Sequence, residues 1–166
     1  MLLSHRSTSA QAVGLLVWLA IVFVAAALGA IASSEAPTFY GQLAKPSWAP
    51  PAMVFGPVWS VLYVLMAVAA WLVWREPQAP GRGAALGLFA VQLGANALWS
   101  WLFFAWHRGA LAFGDVLLLL ALVVATALVF ARIRRAAGWL LLPYAAWVGF
   151  ASALTWAVWQ ANPELL

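Results

Sequence analysis

Cysteine is absent from this sequence, so no disulfide, thiolate nucleophile or thiolate metal site is available to it. The same absence leaves the redox compartment undetermined. Charge is scarce as well: eight Lys and Arg and four Asp and Glu make up 7% of 166 residues. So few ionic groups cannot clothe a soluble domain of this size. The net charge of +4 is scattered among candidate loops, and without a basic stripe nucleic-acid binding is excluded. The two histidines, His5 and His107, fall at terminal or loop positions, and no carboxylates are paired. Hydrolytic and metal chemistry therefore have no evident seat.

What the chain has instead is apolar length. Hydrophobic residues fill 67% of positions, and the mean hydropathy is +0.98. In lipid every backbone amide must be paired internally, which leaves helices or a closed barrel. The apolar runs here are continuous and do not alternate, so a barrel is excluded. A crossing helix needs roughly 20 apolar residues, and five segments qualify: roughly Ala12–Ala32, Met53–Trp74, Ala84–Ala105, Ala110–Ala131 and Gly138–Gln160. The sequence thus predicts an all-α integral membrane protein, a five-transmembrane-helix bundle forming one domain over residues 1–166. The segment 33–52, with Pro37, Pro46, Pro50 and Pro51, is too broken to span. The turn Trp106–Gly109 is short enough to force an antiparallel hairpin, and Arg132–Ala137 reads as the fourth loop.

Ala30-Ile31-Ala32 followed by serines looks like a signal-peptide cleavage site. The apolar stretch before it is longer than a usual signal core, so an uncleaved first helix is expected. Arg6, Arg75, Arg82, Arg132, Arg134 and Arg135 fall on one side of the predicted topology, against Lys45 and Arg108 on the other. In a bacterial cell membrane that bias puts the amino-terminus in the cytoplasm and the carboxyl-terminus outside; an outer membrane or organelle would need its own argument. No internal repeat suggests a transporter built from two halves. Asp115 is the main intramembrane charge; a single carboxylate is no proton relay, and its position near a helix start suits the helix dipole.

Twelve tryptophans demand explanation. Aromatic belts at the interfaces account for Trp71, Trp74, Trp106, Trp139 and Trp159, and less well for Trp18. Trp59, Trp99 and Trp147 sit inside their segments. Helical spacing puts Trp59 with Tyr63, Gln92 and Asn96 with Trp99 and Phe103, and Trp147 with Ala151, Leu154 and Thr155. An amide facing lipid is costly, so the Asn96 stripe should face the interior. If the three stripes converge they enclose an indole-walled cavity for a flat, largely apolar guest. The plainer alternative is that these aromatics only pack helices together.

The stretch Lys45-Pro46-Ser47-Trp48-Ala49-Pro50-Pro51, then Phe55-Gly56-Pro57-Val58-Trp59 and Leu62-Tyr63, resembles the signature of the TspO/MBR family. The likeness continues through Gln92-Leu93, Asn96, Trp99 and Phe103-Phe104 to Pro143-Tyr144, Trp147, Phe150-Ala151 and Leu154. That family includes bacterial tryptophan-rich sensory proteins and the mitochondrial translocator protein, or peripheral benzodiazepine receptor. The resemblance implies a five-helix bundle, often a homodimer, binding porphyrins such as protoporphyrin IX or haem beneath the first loop, with no required cofactor. Ligand-binding residues implied by position are Pro50, Trp59, Tyr63, Asn96, Trp99, Trp147, Ala151 and Leu154, with Trp48 shaping the lid.

The departures are local. The tyrosine and arginine of the cholesterol pattern are missing from Leu154–Gln160, and Thr155 stands where asparagine is usual. Gly83-xxx-Gly87 and Ala90-xxx-Gly94 permit close helix approach and fit a homodimer through the third span. The expected function is a membrane receptor or sensor for tetrapyrroles, possessing a mobile lid and porphyrin propionates near Lys45 or Arg108. The alternatives are light-dependent porphyrin degradation through Trp59 and Trp147, or transport of sterol or lipid. His107 could ligate haem, although a residue in a tight turn is better read as solvated.

Overall fold

The computed structural model describes residues 7–166; His5 and Arg6, used above, lie outside the described residues. Among the described residues five helical spans are long and apolar enough to cross a membrane: Thr8–Ala32, Ala52–Trp74, Arg82–Ala105, Gly109–Ile133 and Arg135–Ala161. We label the helices α1 (Thr8–Ala32), α2 (Ala36–Gln42), α3 (Phe55–Trp74), α4 (Arg82–Ser100), α5 (Gly109–Ile133), α6 (Arg135–Leu140) and α7 (Leu142–Ala161). The chain is thus an all-α membrane protein built on a five-helix bundle.

Three local features depart from the sequence expectation. The predicted loop Arg132–Ala137 is almost entirely helical, broken only at Arg134 (φ −146°, ψ 110°); Arg and Ala are good helix formers, and the break itself is one residue wide. The fifth span is jointed at Leu141, where Pro143 in the first turn of α7 lacks the N–H that an unbroken helix would use. The third span ends in a π-helical turn, Trp101–Ala105, closed by Trp106 N–H donating to the Trp101 carbonyl at 2.8 Å. His107 follows with φ 52°, a left-handed backbone that reverses the chain into α5.

Around the bundle α3 neighbours α1, α1 neighbours α4, α4 neighbours α5, and α5 neighbours α7. α3 closes the ring by leaning on α6 while hardly touching α7. The end holding α6 is sealed by small and apolar side chains, including Met66, Ala67, Ala70, Phe89, Phe130 and Leu141. At that end Trp71 Nε1 donates to the Gln11 carbonyl at 2.9 Å, and Arg134 pairs with Glu76 at 3.0 Å. The start of α1, the second loop and the α5–α6 joint therefore share one face, which gathers most of the arginines.

At the other end α2 and the proline-rich segment fold back over the bundle. Phe39, Tyr40 and Leu43 join Leu102, Phe103, Leu154 and Val158 in a separate apolar cluster. Lys45 Nζ donates to the carbonyls of Tyr40 (2.6 Å) and Leu43 (2.8 Å), which ends the short helix by satisfying its last acceptors. Leu16, Val24 and Ile31 on α1 and Leu111, Leu118 and Leu128 on α5 are exposed in the isolated chain. In a bilayer these are the lipid-facing surfaces.

Candidate functional site

A cavity of about 400 Å³ lies between the sealed end and the lid cluster. Trp59, Tyr63, Asn96, Trp99, Trp147 and Ala151 all line it, so the three stripes inferred from spacing do converge. Trp59 and Tyr63 stack with ring centroids 5.4 Å apart and planes at 29°. Trp147 meets Phe55 edge-on at 5.9 Å and Phe150 at 5.4 Å. Trp99 stacks on Phe103 at 5.2 Å, nearly parallel. Mutual ring contacts hold these rotamers, which gives the cavity aromatic walls with little freedom to collapse.

Behind the rings runs a polar chain. Tyr63 Oη donates to Asn96 Oδ1 (2.8 Å), Asn96 Nδ2 donates to Tyr144 Oη (3.2 Å), and Tyr144 Oη donates to Gln92 Oε1 (2.9 Å). The chain joins α3, α4 and α7 within the bundle, so it fixes their mutual register. Gln92 Nε2 and Trp99 Nε1 are buried without a hydrogen-bond partner among the described residues.

Three expected ligand residues stand outside this lining. Trp48 is half exposed and packs edge-on against Phe150 at 5.8 Å. The carbonyl of Pro50 accepts from Tyr40 Oη at 3.1 Å, and burial raises the Tyr40 hydroxyl's pKa above its ordinary value. Leu154 borders a void of about 30 Å³ beside the main cavity, together with Thr155. Trp48 and Pro50 thus shape the lid, and Leu154 supports the wall from behind.

The expected cations also stand elsewhere. Lys45 is tied to two carbonyls and lies over the Tyr40 ring at 4.8 Å. Neither it nor Arg108 lines the cavity, whose lining contains no charged residue among the described residues. His107 is exposed and stacked on Phe39 at 4.1 Å, away from the lining, so it is not placed to ligate a guest there. Asp115 is buried beyond the first turn of α5, where the dipole reading no longer applies, and its Oδ2 has no partner among the described residues. Trp18, poorly explained by the aromatic belt, is partly buried and packs edge-on against the core residue Phe89 at 5.9 Å.

Other residues at the site carried no ligand-binding expectation. α1 and its capping residue contribute Ala26, Gly29, Ala30 and Ser33, a stripe of small residues at helical spacing that spacing could have flagged but polarity could not. At Gly29 a Cβ would come within 3.2 Å of Ser100 Oγ, so α1 and α4 approach closely there. Tyr40 and Phe55 reach the cavity from the lid side; their roles depend on how the first loop folds back, which no local period encodes. Tyr144, wholly buried, sits at the centre of the polar chain.

Comparison with known proteins identifies the family. The sequence pattern of the TspO/MBR family matches residues 16–160. A protein named CrtK from Rhodobacter capsulatus is 40% identical over 150 residues, covering 87% of this chain and 92% of its own length. The tryptophan-rich protein TspO of Chlorobaculum tepidum is 39% identical over 129 residues, 75% of this chain and 80% of its own. The sheep translocator protein is 38% identical over 126 residues, 75% of each chain. A match across almost every span, with relatives in both bacteria and mammals, places this chain in the TspO/MBR family.

Proposed function

We propose that this protein is a membrane receptor for a flat, largely apolar polycyclic guest, a porphyrin such as protoporphyrin IX or haem, and that occupancy serves sensing or transfer of that guest. The observation that carries this reading is the aromatic cavity of about 400 Å³ walled by Trp59, Trp99 and Trp147. That volume falls in the range of small-molecule sites, roughly 300–1,000 Å³. Indoles stack on extended π systems, and the absence of charge in the lining suits a guest whose macrocycle is buried and whose carboxylates stay in water.

The exposed stripe of Gly83, Gly87, Ala90 and Gly94 on α4 supports a homodimer through that helix, because a Cβ added at any of its glycines would meet nothing within 4 Å among the described residues. The arginine-rich end would lie in the cytoplasm of a bacterial cell membrane and the lid outside. The test is quenching of tryptophan fluorescence by protoporphyrin IX in the purified protein. Quenching should saturate, and it should weaken at least tenfold in affinity for Trp59→Ala with Trp147→Ala, about 1.4 kcal/mol. Saturable quenching at unchanged affinity after both substitutions would refute the assignment.

A further inference from the structure

Asn162, just beyond α7, is only 7% exposed and its carboxamide is fully used. Ala44 N–H donates to Asn162 Oδ1 at 2.8 Å, while Nδ2 donates to the carbonyls of Ala44 (2.9 Å) and Val158 (2.7 Å). One side chain thereby satisfies both backbone groups of a lid residue 118 positions away. Only a carboxamide carries the acceptor and the paired donors that this requires. The following turn holds Asn162 itself, since its carbonyl accepts from the amides of Leu165 and Leu166, each at 3.1 Å.

The lid's other fastenings differ in kind. Tyr40 to Pro50 and Lys45 to Tyr40 and Leu43 are bonds within the lid. Phe39, Tyr40, Leu43 and Trp48 hold it to the bundle by apolar contact: Phe39 meets Phe103 and Tyr40 meets Phe55 edge-on, Leu43 shares a cluster with Leu102, Leu154 and Val158, and Phe150 stands beside Trp48. Apolar contacts slide, whereas the Asn162 bonds have one geometry and must break if the loop lifts.

We infer that Asn162 is the latch of the lid, a positioning residue that sets how fast a guest enters and leaves the cavity. The inference rests on the guest-binding reading above. Tyr40 and Pro37 cover the cavity from the lid side, so lifting that segment opens it to water. Asn162 lines neither the cavity nor its side void, so it contributes nothing to the bound guest directly. Loosening the latch therefore accelerates entry and exit together and leaves the equilibrium nearly unchanged.

The experiment is stopped-flow quenching with protoporphyrin IX on the full chain in nanodiscs, comparing wild type, Asn162→Asp and Asn162→Leu. Asp keeps the size and the acceptor but loses both donor bonds; Leu loses all three. Association and dissociation rates should each rise about tenfold in Asn162→Asp, and further in Asn162→Leu, at a Kd changed by less than about threefold. Ala44→Pro removes one bond from the lid side without touching α7, and should act in the same direction. Unchanged rates would overturn the latch and point to entry between α1 and α3, where Ala30 and Gly56 border the cavity and are exposed. A weaker Kd at an unchanged association rate would overturn it too, as the mark of a damaged pocket.

Hydrogen exchange over residues 40–48 reads the latch without any guest. It should quicken in Asn162→Asp while the amides of α4 and α5 keep wild-type protection, and equal exchange in the two proteins would sink the proposal. If wild type shows no saturable quenching, the binding reading falls, and this exchange measurement alone decides whether Asn162 holds the lid.

Discussion

Trp59 and Tyr63 stand one turn apart on α3 with their rings stacked at 5.4 Å, and the Tyr63 hydroxyl leaves that stack to donate to Asn96 on α4. One side chain thus serves two systems, the aromatic wall of the cavity and the polar chain that ties three helices together. The two can be separated by removing only the oxygen.

Tyr63→Phe keeps the stack and leaves Asn96 Oδ1 without its donor. Thermal unfolding in detergent should report a loss of about 1 kcal/mol, the usual worth of an interhelical hydrogen bond in a membrane protein. Asn96→Leu breaks two links and should lose more. Because both substitutions cut the same chain, their effects should sum to more than the double variant shows. Strict additivity would mean that the hydroxyl and the amide act independently.

Glycine positions give a second, opposed pair. At Gly138 a Cβ would run into Ala131 and into the Ala127 carbonyl, where α6 is pressed against α5. Backbone cannot move aside as a flexible side chain can, so Gly138→Ala should lower stability by roughly 1–3 kcal/mol or prevent folding. A Cβ at Gly87 would meet nothing within 4 Å among the described residues, so Gly87→Ala should leave the unfolding temperature of the monomer unchanged or slightly raised. If Gly87→Leu also leaves the oligomeric state unchanged by light scattering in detergent, the α4 homodimer is wrong.

These contrasts show what was legible in the sequence. Five spans follow from hydropathy because lipid imposes one length and one backbone solution. Trp59, Tyr63, Asn96, Trp99 and Trp147 follow from spacing because each is an expensive or bulky residue on a definite helical face. The α1 wall, Ala26 to Ser33, was silent because a small apolar residue looks the same against lipid or a cavity. Asn162 was silent for another reason: its partner Ala44 has no side-chain signal, and their pairing is tertiary. The joint at Leu141 and the π turn at Trp101–Ala105 likewise depend on packing that no single segment specifies.

Asp115 offers a third prediction. A carboxyl buried in a span with one oxygen unpaired among the described residues is a burden on folding. Asp115→Asn preserves shape and removes the capacity for charge, so it should raise thermal stability, by about 1 kcal/mol. A fall in stability instead would show that the carboxylate holds a cation or a protein donor in the membrane-embedded state.

The last prediction concerns the guest's charge. No charged side chain lines the cavity, and Lys45 is committed to two lid carbonyls. A carboxylate drawn inside would therefore lose its water without gaining a charged partner, so the propionates of a bound porphyrin should project past the lid. Esterifying them removes the charge but leaves the macrocycle intact. Protoporphyrin dimethyl ester should then bind within about threefold of the free acid, whereas a lost charge-assisted hydrogen bond of about 1.5–3 kcal/mol would weaken it tenfold or more. Lys45→Met should have equally little effect on affinity for the free acid. Titration of both porphyrins against both proteins closes a cycle: a large ester penalty in wild type that vanishes in Lys45→Met would mean that the lysine leaves its carbonyls to meet the guest.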